Sequence, residues 1–594
     1  MRFQTKLLAL ALLAGLTPAA KAQKSYADEY QNRIKSASSV QSLAETPFGE
    51  NVDVYSGALS FEQTDLVLEG IGPAIRVMRK ASDTDTSTPN PFQYSGFGDW
   101  ELEVPYIQTL VPGTLMWGST QGVWNTVGPS GATPNRCTYF GEMWTPPDKY
   151  YGPKHITAPA YSWWGGYTLK IPGAGSQTIL ARLAPAPTPS SGNYPGVTTQ
   201  HWQVGCQAGL GTTNGQPGEG FVVLSPDGTK YFMTHLSYMP YETYREGLPE
   251  DPTLFAHVGR TVARMKASRV EDRFGNYITY GYTGDRLTSI SGSDGRQVTI
   301  QWWSDAPLIQ SVTANGRTWT YDYASRSATG GTLTQVTLPD ATKWQFTGTV
   351  PNGINLPVLF GACLGGFSYG PVPNSSSGID ATYTVKHPAG ATGVFRLSTR
   401  LRAQSYAATM CTYDPFSQTN YESSNPFFAV SALVEREISG PGLATRLWTY
   451  AYEPEHASRA IDCGTNGCQS TTYTDVTDPT GHRTRYTHST RYGALQGKLL
   501  RVERFDGATL VKKEVKSYNY EESDKPATAP FGSAMSMADP QYNVENLVVP
   551  RKNVIIQDGR TFTWEVPSGC PGGLTGFCLD AYGRPTKVTK ASSP

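Results

Sequence analysis

Apolar and polar residues alternate along much of this chain, and the alternation restarts at a fixed distance from a glycine. Three, five and seven residues after Gly275 stand Ile278, Tyr280 and Tyr282; after Gly295 stand Val298, Ile300 and Trp302. After Gly316 the same offsets give Trp319, Tyr321 and Tyr323, and after Gly559 they give Phe562, Trp564 and Val566. The residues between them are mostly polar or small, such as Gln297, Thr299 and Gln301. A period of two is that of a β-strand with one buried face. A second strand follows with a shorter apolar pair: Leu287 with Ile290, Ile309 with Val312, Leu333 with Val336. Such a unit, roughly twenty residues long, cannot hide its apolar face alone and must stack on its neighbours.

The turns between strands are of two kinds. Asp294-Gly295, Asn315-Gly316 and Asp340-Ala341 fit two-residue hairpin turns, which need positive φ. The other kind is Asp-x-x-Gly, at Asp272 to Gly275, Asp478 to Gly481 and Asp580 to Gly583. The pattern predicts an all-β protein of antiparallel hairpin repeats joined into an extended, curled sheet.

The chain divides by texture. Residues 1–22 read as a secretory signal: Arg2 and Lys6, an apolar run from Leu7 to Leu16, then Ala20-Lys21-Ala22. Residues 23–45 form a polar lead-in with some helical spacing. Residues 46–110 alternate well and form an entry region of several strands. Residues 111–260 are rich in Gly, Pro, Trp and Tyr and read as short strands with long loops. The repeats occupy 261–350, blur over 351–470, and return over 471–594, where the last unit is incomplete. The pattern also surfaces after Gly228, at Tyr231, Met233 and His235.

Lys plus Arg is 49 and Asp plus Glu is 49, so the formal charge is zero. That balance argues against nucleic acid as a main partner, and no apolar run is long enough for a membrane span. The eight cysteines of an exported chain read as disulfides. Pairing neighbours gives Cys137 with Cys206, Cys363 with Cys411, Cys463 with Cys468, and Cys570 with Cys578. Neither close pair has zinc-site spacing or a nearby His, so no metal is expected.

The units FGNYITYGYTGDRLTSISGSDGRQVTIQW and NGRTWTYDY, with Tyr321-Asp322, resemble those of the RHS/YD-repeat family of secreted and surface proteins. The segment GENVDVYSGALSFEQTDLVLEG, followed by IRVMRKAS and FGDWELEVPYI, is similar to the entry region of its bacterial members. The resemblance implies a long β-sheet that spirals into a hollow shell, which in bacterial relatives encloses a toxic C-terminal domain. Two features depart from it: no toxin-like domain follows the repeats, and Asp478-Pro479-Thr480-Gly481 carries His482 where the relatives' cutting junction has Leu.

Little in the chain suggests catalysis. Gly366-Phe367-Ser368-Tyr369-Gly370 matches a nucleophile elbow, but PVPNSSSG after it cannot start the helix that motif needs. Asp83 and Asp85 lack the glycine of a calcium loop. His235 and His488 fall on the inward stripe. His201 beside Trp202, with exposed aromatics such as Tyr277 and Trp303, would suit a sugar. The expectation is a secreted, periplasmic or surface protein without enzymatic activity or cofactor. It would form part of a shell or scaffold whose partner is a protein cargo or a further repeat chain. Its alternative is a secreted carbohydrate-binding or adhesion module.

Overall fold

The turns set the register of everything else. At Asp272 the carboxylate Oδ1 accepts the backbone N–H groups of Phe274 (2.8 Å) and Asn276 (3.0 Å), while the Gly275 N–H donates to the Asp272 carbonyl at 3.2 Å. Asp478 does the same with Thr480, His482 and Gly481, and Asp580 with Tyr582, Arg584 and Gly583. The glycine that ends each turn is left-handed: φ is 87° at Gly275, 89° at Gly481 and 72° at Gly583. Gly295 (φ 86°) belongs to this four-residue class, closing back on the Gly292 carbonyl, and not to the two-residue class expected from Asp294-Gly295. Two-residue turns stand at Asn315-Gly316 (φ 51° and 71°) and Asp558-Gly559 (φ 52° and 74°), the paired positive angles of the tight hairpin turn that suits strand twist.

The computed structural model describes residues 46–81, 92–113, 124, 135–138, 140–183, 193–210, 217–241, 244–248, 251–348, 354–355, 375–407, 411–414, 419–422, 427–459, 463, 467–520, 531–535, 546–573 and 576–593. From Phe48 on they belong to one compact unit. Apart from two four-residue helical turns, Phe92–Ser95 and Ala160–Trp163, the regular structure is β. The signal segment, the lead-in to residue 45, Asp83, Asp85, Cys363 and Ser368 lie outside the described residues.

From Arg260–Glu271 to Thr589–Ser593 the chain forms one antiparallel sheet, each strand paired to the next along the wall. The stripe lies on one face: Ile300 pairs with Val312 and Val312 with Trp319, and Tyr321 pairs with Val336 and Val336 with Trp344. A β-bulge recurs in the second strand of a unit. Tyr282 pairs with Leu287 although Gly281 pairs with Ser289, and Trp302 pairs with Ile309 although Gln301 pairs with Ser311. The bulge disturbs the ladder at Leu287 and Ile309. The next unit's offset-seven aromatic then donates to that residue's carbonyl. Trp302 Nε1 donates to Leu287 O at 2.7 Å, and Tyr323 Oη to Ile309 O at 2.7 Å. Tyr282 to Ala267 (2.9 Å), Tyr452 to Leu433 (2.6 Å) and Tyr518 to Leu499 (3.0 Å) repeat the contact, each at a bulge. After Gly275, Gly295 and Gly316 the seventh position is therefore aromatic with a polar head, and Tyr452 and Tyr518 serve alike farther along: the ring packs and the donor latches one unit to the one before.

Residues 106–271, which include the stretch 111–260 read as short strands with long loops, hold a closed barrel. Its eight strands are Tyr106–Pro112, Tyr167–Ile171, Gly175–Arg182, Gly196–Thr198, Gln203–Gln207, Gly220–Leu224, Lys230–Pro240 and Arg260–Glu271. Arg260–Glu271 is shared: Arg260–Lys266 pairs with Tyr106–Pro112 to close the ring, and Arg269–Glu271 pairs with Tyr277–Thr279 to start the wall. The wall's far end returns to the barrel. Ala181 and Arg182 pair with Ser533 and Gly532, and Leu180, Val197, Phe531 and Leu547 bury each other with Tyr582 against them.

The entry region forms a separate five-stranded sheet: Glu50–Val52, Leu59–Leu68, Ile75–Ala81, Gly96–Phe97 and Trp100–Leu102. FGDWELEVPYI reads as a strand opened by Gly98; a turn does stand there, with Phe97 paired back to Trp100, but the segment divides into Trp100–Leu102 of the entry sheet and Tyr106–Pro112 of the barrel. Among the described residues no helix is long and apolar enough to cross a membrane.

Candidate functional site

The stripe face of the wall packs against the entry sheet. Phe97 meets Tyr321 with ring centroids 4.7 Å apart, Trp100 meets Phe346 at 5.1 Å, and Phe61 meets Tyr383 at 5.3 Å and Phe395 at 5.0 Å. Farther along, Tyr55 meets Phe428 at 6.2 Å and His488 at 5.6 Å. At the other end Asp294 accepts the Ile71 N–H, and Arg296 reaches the carbonyls of Leu68 and Pro73. Between Asp294 and His488 the chain's own entry sheet thus packs against the stripe face of the wall. The sequence hides this because the entry strands alternate like any half-buried strand, and alternation does not say which sheet covers them. Each fully buried Phe or Trp in the seam contributes about 1.5–3 kcal/mol.

Buried polar groups orient the seam. Arg79, fully buried, bonds Asp65 (2.8 and 3.0 Å) and Gln63, and its guanidinium lies 4.7 Å from the Trp100 ring and 5.1 Å from Phe346. Tyr321 donates to the same Asp65 at 2.9 Å, so the Tyr-Asp pair of the repeat is divided: Tyr321 anchors the entry sheet and Asp322 faces outward. Glu50 and Arg436 pair across the seam at 3.2 Å with both side chains about 1% exposed. Burial pushes the Glu50 carboxyl up, with Arg436 opposing. Asp99 accepts the Leu333 N–H at 2.7 Å, and burial, only partly offset by that bond, pushes its carboxyl to about 7. Backbones also touch closely: a Cβ on Gly98 (φ 74°) would lie 2.0 Å from the Gly331 carbonyl oxygen.

A second polar cluster joins entry sheet to barrel. Lys170 pairs with Glu101 (2.8 Å) and Glu103 (3.0 Å), and Arg264 with Glu101 (2.7 Å), both cations lying over the Tyr106 ring. Burial raises the Glu101 carboxyl, but Arg264 and Lys170 outweigh it and hold it at about 2. A carboxylate so firmly ionised is a structural clamp and a poor proton donor. His235 stacks on Tyr282 at 3.9 Å, and burial, aided by Lys266, lowers it to about 4. Burial also lowers His488 to about 4. Both imidazoles are neutral core groups at pH 7.

The expected positions fall as follows. Gly275, Gly295, Gly316, Gly481 and Gly559 all have positive φ at turns. Trp319 and Tyr321 are buried, Tyr280, Trp302, Tyr323 and Trp564 are half-buried, and Phe562 of the last repeat is 45% exposed. His201 packs on Phe531 (5.4 Å) and Tyr582 (5.2 Å), and Trp202 is buried against Tyr231, placing both where the tail meets the barrel. Tyr277 and Trp303 are capped by Arg269 and Arg326, each 3.7 Å from the ring. Disulfides join Cys137 to Cys206, Cys463 to Cys468, and Cys570 to Cys578, with Cα atoms 5.2, 5.2 and 5.0 Å apart. Cys411 stands in the strand Cys411–Asp414; its expected partner Cys363 is outside the described residues. Glu219 lies within ligand reach of Cys137 and Cys206, but the two sulfurs bond each other. Its carboxylate instead accepts the N–H groups of Cys137 (3.0 Å) and Thr138 (2.9 Å).

No family model matches this chain, and no curated protein matches it. Among solved structures it is similar to a chain of the Photorhabdus luminescens Tc holotoxin pore, at 8% identity and a TM-score of 0.25, over 93% of this chain. It spans 36% of that chain, about a third of its length. Similarity at this level assigns neither family nor function.

Proposed function

We propose that this protein is a non-enzymatic, exported scaffold: a curled wall of hairpins of the RHS/YD-repeat kind that wraps a layer of polypeptide and displays its own outer surface. The single observation behind this reading is the seam. One continuous antiparallel sheet holds a second sheet against its stripe face through aromatic contacts, the Tyr321 hydroxyl bonded to Asp65, and the buried ion pair of Glu50 with Arg436. The wrapped layer in this chain is its own entry region. A cargo or a further repeat chain would bind the remaining wall, in a toxin system or at a cell surface.

The test is a subtilisin digest read by intact mass, run beside ester, glycoside and peptide hydrolysis assays. The reading expects one resistant body that starts near Phe48 and keeps entry sheet and wall together, without turnover. Rapid release of the entry sheet from the wall would overturn it. So would hydrolysis that disappears when one side chain is replaced.

A further inference from the structure

The wall has a second face, opposite the stripe, and its chemistry changes along its length. From Thr392–Ala403 onward it carries cross-strand ion pairs: Arg396 with Glu435 and Glu437, Asp475 with Arg483 and Arg485, Glu503 with Lys513, and Lys552 with Glu565. Between Tyr277–Thr283 and Ala381–Lys386 two rows are mostly hydroxyls and amides, with Asp322, Lys343 and Lys386 as their charged members. One row runs Gln301, Ser311, Thr320, Thr337 and Lys343, each paired with the next. The row beside it runs Asp322, Gln335, Gln345 and Lys386. Neighbouring strands stand ~4.8 Å apart, so hydrogen-bonding groups recur at that interval.

This face is not flat. In the strand Gly330–Thr337, Asp322 pairs with Gln335 but Tyr323 pairs with Leu333, which leaves Thr334 as an extra residue; a second register shift follows before Ser327. Bulges bend a sheet locally and re-aim side chains. Here they accompany a recess of about 760 Å³, lined among others by Asp322, Thr334, Gln335, Gln345, Thr347 and Thr384. Part of the lining is held in place: Gln335 Nε2 donates to Asp322 Oδ2 at 2.7 Å, and the Thr334 hydroxyl donates to the Asp322 carbonyl at 3.0 Å.

We infer that this recess, with the hydroxyl and amide rows leading from it, is a binding site for a neutral oligosaccharide. Threonine hydroxyls and glutamine amides both donate and accept, which matches the vicinal hydroxyls of a sugar. One carboxylate and one ammonium, Asp322 and Lys386, line the recess, so it offers no net charge to select an anion. The cross-strand ion pairs named above lie in the later strands; in the earlier stretch Arg326 pairs with Asp305 at 3.1 Å outside the recess lining, so the recess itself is poor in charge. The inference goes beyond the scaffold reading and can fail without it, since it rests on the polar part of the lining, whereas Phe346 in the same lining packs on Trp100 of the entry sheet.

The experiment uses the full chain on an array of neutral and acidic glycans, followed by gel retardation in soluble β-glucan, galactomannan, xylan and dextran. At least one neutral glycan binds, and raising salt to about 0.5 M, which screens charges beyond a few Å, leaves binding intact. Gln345→Ala with Thr384→Val removes two lining groups and weakens binding about tenfold or more, equivalent to the loss of one or two hydrogen bonds. If that pair does not fold, Gln345→Arg at an exposed position fills the recess instead and abolishes binding. The inference is overturned if no neutral glycan binds. Binding confined to acidic glycans and lost in salt overturns it equally, as does binding unchanged by either variant.

Discussion

The bulge-and-latch contact makes a quantitative demand on Tyr323. Its hydroxyl donates to the Ile309 carbonyl at 2.7 Å, and Ile309 is fully buried. Tyr323→Phe keeps the ring and removes the donor. Water has poor access to replace it, so an acceptor loses its partner in the interior. Simple loss of a neutral hydrogen bond costs about 0.5–1.5 kcal/mol, while leaving a buried acceptor unmade costs about 1–3 kcal/mol. The expected loss is therefore about 1–3 kcal/mol. Tyr452→Phe, 2.6 Å from the carbonyl of the equally buried Leu433, repeats the perturbation at another bulge. Several strands at ~4.8 Å spacing separate the two sites, so their costs should add within about 0.5 kcal/mol. The assay is urea unfolding followed by circular dichroism and tryptophan fluorescence, the midpoint shift being converted with the parent slope. Tyr150→Phe, at a side chain 67% exposed, is the control and should match the parent. If both variants lose less than about 0.5 kcal/mol, the aromatic ring at each bulge is only packing and the latch is wrong.

Gly316→Val should cost about 1–2 kcal/mol through its positive φ alone, because a Cβ there meets nothing within 4 Å. Gly98→Ala should cost more despite the smaller side chain, since its Cβ would lie 2.0 Å from Gly331 O; equal urea midpoints would refute the close seam. For pH, burial raises the folded Asp99 carboxyl from 3.8 to about 7. Between those values the unfolded chain has released a proton that the folded chain keeps, so stability falls as pH rises from about 4 to 7 and then levels. The size is on the order of 4 kcal/mol at most. His235 and His488, lowered to about 4 from 6.5, act in the opposite sense by losing stability as pH falls through that window. The Asp99→Asn minus parent difference cancels them and should rise with pH from 4 to 7; a flat difference would refute the assignment.

The alternation after each turn glycine was legible in the chain because a buried strand face leaves a local mark, a period of two that survives without knowledge of partners. Local too were the Asp-x-x-Gly turns, whose carboxylate bonds residues two and four positions ahead, and three cysteine pairs, Cys137 with Cys206, Cys463 with Cys468 and Cys570 with Cys578, which join neighbours in the count. Tertiary pairing decided the rest. The barrel was missed because the strand Arg260–Glu271 uses both edges, and its partner Tyr106–Pro112 lies some 150 residues earlier. The burial of the entry sheet was missed because Phe61, Phe97 and Trp100 would look the same facing any apolar surface. The recess on the outer face arises from register shifts at Thr334, and a bulge is a relation between two strands that one strand's sequence does not record. Short-range chemistry thus wrote the hairpins into this chain, while the closure of the ring, the packing of the entry sheet on the stripe face and the place of the recess came from contacts between segments far apart in sequence.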